Sequence, residues 1–194
     1  LIMITNPLDV TTYLAATKFG WKHGRLFGTG TTLETLRFKY ILSRHFGVNP
    51  QDIQGYMLGE HGNSAFPAWS TVSIGGIRLN DLHNYFPEVK LDRELIHKQV
   101  VKTAYEVMDA KGWTNTGIAS GAIRLAQAVF FDEKTVVPVS VPLTGEYGLK
   151  DVALSLPSVV GKEGVEKRLA LPLPEDELEL LYKSSECIKE VLRA

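Results

Sequence analysis

Hydrophobic and polar positions alternate along the chain in a readable order. Leu1-Ile2-Met3-Ile4 is a continuous apolar run ending at Thr5-Asn6-Pro7, the pattern of a strand buried on both faces that runs into a turn. From Asp9 to Phe19 apolar residues recur at helical spacing, with Gly20 as the stop. Arg25–Gly28 reads as a short strand. Thr31–Phe46 reads as an amphipathic helix with Leu33, Leu36, Tyr40, Ile41 and Phe46 near one stripe and Gly47 as its cap. Gln54–Leu58 and Trp69–Leu79 read as strands, the second turning at Gly75-Gly76. Helices follow over Leu91–Lys111, stopped at Gly112, and over Asn115–Phe131. The second is rich in small residues (Gly117, Ala119, Ser120, Gly121, Ala122) that permit close approach of another backbone. Thr135–Val141, Val152–Val159 and Gly164–Leu171 read as strands. Pro174–Leu192 closes the sequence as a charged amphipathic helix with proline in the tolerated first turn.

This succession of strands and long helices predicts an α+β domain. The opening segment does not fit it. A strand buried on both faces belongs to a parallel α/β sheet and needs neighbours on each side, which few later segments can supply. The expectation is therefore two units: residues 1–27 as the tail of a separate α/β domain, and residues 28–194 as the α+β domain.

Composition narrows the functional classes. Lys and Arg number 21 against 22 Asp and Glu, so there is no electrostatic footprint for nucleic acid or for an anionic membrane surface. No apolar run approaches the ~20 residues of a membrane helix. Cys187 is the single cysteine, which fits a reducing compartment and points to the cytoplasm. Histidines at 23, 45, 61, 83 and 97 never fall at the spacing of a helical metal pair, and no metal site is expected.

Three residues carry candidate chemistry. His61 stands between glycines at the end of a predicted strand, in Leu58-Gly59-Glu60-His61-Gly62-Asn63-Ser64. There the backbone leaves room for a ligand, and imidazole exchanges a proton near neutral pH. Glu34 and Arg37 are three apart and share a helix face. By themselves they could be an ion pair on a solvated surface. A carboxylate near an imidazole can instead hold one tautomer, and a guanidinium can grip a carboxylate with two parallel hydrogen bonds.

Thr5-Asn6-Pro7-Leu8-Asp9, Gly28-Thr29-Gly30-Thr31-Thr32-Leu33-Glu34-Thr35-Leu36-Arg37-Phe38, the His61 block and Lys111-Gly112-Trp113-Thr114 together resemble, in order and spacing, four blocks of the L-lactate dehydrogenase family. The resemblance covers essentially the whole sequence. It implies the C-terminal substrate-binding domain of the lactate/malate dehydrogenase fold, preceded by the last strands and a helix of a truncated Rossmann domain. It implies His61 as acid/base and Glu34 as its carboxylate partner. Arg37 would bind the substrate carboxylate. Asn6 would lie where substrate and nicotinamide meet, with Asn6-Pro7 a candidate cis peptide. Thr114 would line the substrate pocket and Ile118 face the nicotinamide. The implied cofactor is NAD, the substrate a small 2-oxo or 2-hydroxy acid, and the assembly a homodimer or homotetramer.

The sequence departs from the pattern in places. Glu34 stands where the family has aspartate, and Asn63 replaces an aspartate common in lactate dehydrogenases. With Gly28-Thr29-Gly30-Thr31 and Trp113-Thr114-Asn115-Thr116-Gly117, Asn63 is more similar to L-2-hydroxyisocaproate dehydrogenases, which take bulkier 2-oxo acids; Gly117 would leave space for a larger side chain. Malate dehydrogenase shares the His and Arg machinery and is an alternative. So is a non-catalytic role in assembly. Lys39 and Gln54 align with the basic positions that bind fructose 1,6-bisphosphate in allosteric relatives, and Gln54 supplies no charge, so little activation is expected. The Gly-rich pyrophosphate turn is missing: Gly28-Thr29-Gly30-Thr31-Thr32-Leu33 has Leu33 where a third glycine belongs.

Overall fold

The computed structural model describes residues 1–193. Its elements are β1 (Ile2–Met3), α1 (Leu8–Lys18), β2 (Phe27–Gly28), α2 (Thr32–Phe46), β3 (Ile53–Leu58), β4 (Phe66–Ile74), β5 (Ile77–Arg78), α3 (Arg93–Lys111), α4 (Thr116–Phe130), β6 (Thr135–Thr144), β7 (Lys150–Gly161), β8 (Gly164–Arg168) and α5 (Glu175–Arg193). The strands form a five-stranded sheet, β1-β2-β6-β7-β8, and a three-stranded sheet, β3-β4-β5. The architecture is the expected α+β mixture. No helix among the described residues is long and apolar enough to cross a membrane.

The β6–β7 ribbon is the spine. It pairs antiparallel from Thr135↔Val160 to Thr144↔Lys150, with Val139 opposite Leu156. From Val152 to Ser158 every residue of β7 is buried, because α4, α5 and α1 cover the ribbon. A second core lies between α2, α3 and the β3–β4 hairpin, built on Phe38, Leu42, Ile53, Met57 and Val100. Phe38 meets Trp69 edge to face at 5.1 Å between ring centres. The two sheets are joined by one bridge: Gly59 donates to Ser155 O at 3.2 Å and accepts from Ser155 N at 2.8 Å.

Two expectations change. The opening strand is not buried on both faces. β1 is two residues long and sits at a sheet edge, parallel to β2. Leu1 and Ile4 are exposed, and Ile2 and Met3 half-buried. Among the described residues of this chain β1 has a neighbour on one side only. β2 in turn pairs antiparallel with β6 at Gly28↔Ser140, so the opening segment shares a mixed sheet with the later strands.

The buried stripe of α2 is also different. Thr35, Phe38, Leu42 and Phe46 face the core, whereas Leu36 and Tyr40 are exposed. The spacing 35-38-42-46 is a truer helical stripe than the larger apolar residues suggest, because threonine can spend its hydroxyl on a neighbouring backbone. Thr35 does so, accepting the Met57 N–H at 2.9 Å. The helix ends are as read: Gly47 and Gly112 close α2 and α3 in the left-handed conformation. β4 begins earlier than expected, at Phe66, which brings the hairpin right up to the His61 loop.

Candidate active site

A cavity of about 240 Å³ opens where four segments meet: the turn before α1, the first turns of α2, the β3–β4 loop, and the α3–α4 corner. All six residues singled out in the sequence line it: Asn6, Glu34, Arg37, His61, Thr114 and Ile118.

The start of α2 is fastened to both sheets. Thr31 N–H donates to Ser155 Oγ at 3.0 Å, and the Thr31 hydroxyl donates to Met57 O at 2.5 Å. These buried bonds fix the first turn, so Glu34, Arg37 and Leu33 project into the cavity from a rigid base. Arg37 makes no ion pair among the described residues. Asn6 precedes Pro7 through a cis peptide bond.

The His61 loop is held from several sides. Gly59 has φ +89 and lies so close to α5 that a Cβ there would sit 2.6 Å from Ser184 Oγ, so only glycine fits. Ser184 Oγ accepts the Glu60 N–H at 2.6 Å and lies 2.9 Å from Ser64 Oγ. Ser64 in turn donates its hydroxyl to Glu60 Oε2 at 2.5 Å. On the opposite side the His61 N–H donates to Asp9 Oδ2 at 2.6 Å.

His61 Nδ1 lies 2.9 Å from Glu34 Oε1, with the two side chains 22% and 14% exposed. The approach is off the N–H axis: Nδ1 and the second Glu34 oxygen are buried without a hydrogen-bond partner. The contact is thus a close ion pair rather than a linear hydrogen bond. Burial alone would favour neutral imidazole. Contact with Glu34 and the charges of Glu34 and Asp9 outweigh that burial and the opposing Arg37, so the pKa of His61 lies above its ordinary value. When protonated, the ring can donate to an oxygen in the cavity.

The other wall is apolar and open. Val100, Val101, Met108 and Tyr105 come from α3, and Thr114 and Ile118 from the corner and α4. The Tyr105 hydroxyl donates to Asn63 Oδ1 at 3.0 Å across the cavity mouth. Asn115 caps α4, accepting from Thr116 N–H at 2.7 Å. Gly117 does not line the cavity; a Cβ there would lie 3.2 Å from Leu33 Cδ2, so its smallness lets α4 close on α2.

Asp9, Leu33 and the α3 wall are not among the candidates read from the sequence. An acid in a first helical turn is ordinary and carries no signal of its own.

The sequence matches the lactate/malate dehydrogenase α/β C-terminal domain over residues 31–194. It is 47% identical to the L-lactate dehydrogenase of Selenomonas ruminantium over 193 residues, covering 99% of this chain and 61% of that protein. It is 40% identical to L-lactate dehydrogenase 2 of Clostridium acetobutylicum, covering 100% and 61%. Among solved structures, a lactate dehydrogenase from a Medee basin deep-sea metagenome library superposes with a TM-score of 0.96 at 34% identity, covering 100% of this chain and 62% of that one. The chain thus spans about three-fifths of the length of these relatives. On this agreement of sequence and fold, the chain belongs to the lactate/malate dehydrogenase family.

Proposed function

We propose that this chain is the substrate-binding part of an NAD-dependent L-2-hydroxy-acid dehydrogenase, with residues 28–194 forming the substrate domain and residues 1–27 belonging to a dinucleotide-binding domain. The observation that carries the reading is the His61–Glu34 pair facing the same cavity as Arg37. Arg37 binds the substrate carboxylate through two parallel hydrogen bonds and fixes which face of the oxo carbon is presented. His61, as imidazolium, donates its proton to the oxo oxygen and stabilises the charge that gathers there. In the reverse direction neutral His61 takes the hydroxyl proton. Glu34 stabilises the charged ring. The cavity side formed by Ile118 and the Asn6 amide suits a flat ring carrying a carboxamide, so these two residues would hold the nicotinamide end of NAD. NADH supplies the hydride when bound.

The likeness to L-lactate dehydrogenases favours pyruvate as substrate. The apolar wall of Leu33, Val101 and Met108 favours a bulkier aliphatic 2-oxo acid of the 2-oxoisocaproate kind. The reading further places the enzyme in the cytoplasm as a homodimer or homotetramer, unresponsive to fructose 1,6-bisphosphate, with Gln54 exposed on β3 and uncharged.

The test is NADH oxidation by the full-length protein with pyruvate, 2-oxoisocaproate and oxaloacetate, wild type beside His61→Asn. Turnover of the first or second acid, abolished in the variant, is expected. Preference for oxaloacetate would favour malate dehydrogenase; turnover retained in His61→Asn would refute the assigned role; no turnover of any acid would favour an assembly role.

A further inference from the structure

The carboxylate of Asp9 is 1% exposed, yet it belongs to no ion pair that would justify burying it. Both of its oxygens are committed. Oδ2 accepts the backbone N–H of His61 at 2.6 Å, and Oδ1 accepts the hydroxyl of Ser140 at 2.5 Å. Asp9 therefore ties the first turn of α1 to β6 on one side and to the proposed proton-transfer residue on the other. A buried carboxylate is costly, and a neutral acceptor could satisfy one N–H as well. Its retention needs a reason.

We infer that Asp9 is a positioning residue for His61: its carboxylate pins the backbone of the β3–β4 loop at the histidine and sets a negative charge behind the ring. The inference rests on the dehydrogenase reading for the proton that His61 moves, and on the hydrogen bonds for everything else. Two features make the second anchor necessary. The Glu34 contact is off-axis and so constrains the ring orientation weakly. Ser155, Ser184 and Ser64 anchor the loop at Gly59 and Glu60 rather than at His61. Asp9 is the group that holds the histidine's own peptide.

Its electrostatic surroundings are simple. The titratable groups facing it are His61 and Glu60 on the loop; β6 contributes the neutral Ser140. Burial raises the pKa of Asp9 to about 6, against the hydrogen bonds from Ser140 and His61. Above that pH it is charged, and its charge strengthens the hold of the imidazole on its proton. It touches no part of the cavity and is not a catalytic residue in the sense that His61 is.

Two variants of the full-length protein separate geometry from charge. Asp9→Asn keeps an oxygen for the His61 N–H and an amide that can donate to Ser140 Oγ, and it removes the charge. Asp9→Ala removes both. In Asp9→Ala, hydrogen exchange of the His61 amide should accelerate about tenfold or more, and kcat should fall about tenfold or more with KM within about threefold. Asp9→Asn should restore the exchange protection and most of kcat. Its His61 ring, followed by NMR, should titrate lower than in wild type by about half a unit or more. Unchanged amide exchange in Asp9→Ala, or an unshifted His61 titration in Asp9→Asn, would overturn the inference. If Asp9→Ala does not fold, the Asp9→Asn titration decides alone. A wild-type protein that reduces no 2-oxo acid would defeat the dehydrogenase reading and leave the exchange and titration results to judge Asp9.

Discussion

The two walls of the cavity are built on different terms. The wall made by α1, α2 and the β3–β4 loop carries the polar residues, and its anchors Asp9, Thr31, Thr35, Ser140, Ser155 and Ser184 are all buried. The wall made by α3 and the α3–α4 corner carries the apolar residues, and Tyr105, Met108 and Trp113 are 51%, 49% and 61% exposed. One wall is over-determined by hydrogen bonds in a dry interior, where each is expensive to lose. The other is packed onto the second core through Ile96 and Val100 and carries fewer buried hydrogen bonds, with Tyr105 bonded to Asn63 at its exposed side. On the proposed reading, proton transfer and the carboxylate clamp sit on the first wall, and selection of the substrate's side chain sits on the second.

Changes to the first wall should therefore cost most, and changes to the second should redirect rather than abolish. His61→Asn should lower kcat/KM by about three orders of magnitude in steady-state assays of the full-length protein. Arg37→Lys, which keeps the charge but loses the paired hydrogen bonds, should raise KM by roughly a hundredfold. A loss under threefold in either would erase the contrast between the walls.

Asp9 gives a stability test of the same wall. Its pKa is about 6 in the folded chain, above the ordinary 3.8. The folded state then binds the proton more tightly, so the stabilisation is present at acid pH and is lost as pH rises from near 4 through about 6. The loss is on the order of 3 kcal/mol. Thermal melts across that range should decline in the wild type and stay flatter in Asp9→Asn. His61 acts in the same sense at higher pH: its raised pKa gives stability below its ordinary value that disappears as pH climbs through the folded value. Glu34→Gln should lower the His61 pKa, so that reduction of the 2-oxo acid loses its protonated donor at lower pH. The pH–rate profile should shift down by about one unit.

The smallest expected effect falls where the walls touch. Gly117→Ala would press on Leu33 and nudge it toward the cavity. It should lower the preference for 2-oxoisocaproate over pyruvate by about threefold while leaving the pyruvate rate near wild type. An equal loss with both acids would mean that Gly117 serves packing alone.

How far the sequence could be read divides along the same line. Residue type and spacing made His61, Glu34 and Arg37 candidates, but their roles, and the choice of Asn6, Thr114 and Ile118, came from the family resemblance; the structure brings all six to one cavity. Helix ends at Gly47 and Gly112 were legible because few residues tolerate the left-handed backbone. The α2 stripe was misread because Leu36 and Tyr40 outweigh Thr35 on any hydrophobic count, whereas burial was decided by the Thr35 bond to Met57. Asp9 was not legible because its hydrogen-bond partners, Ser140 and His61, lie 131 and 52 positions away.

The Gly59–Ser155 bridge and Ser184 place the His61 loop in mechanical series with the β6–β7 ribbon and with α5. A tug on that last helix, from a fused partner or a surface tether, would reach the imidazole before it reached the substrate's apolar seat. Linkers and labels are accordingly better attached on the outer face of α3 than on α5.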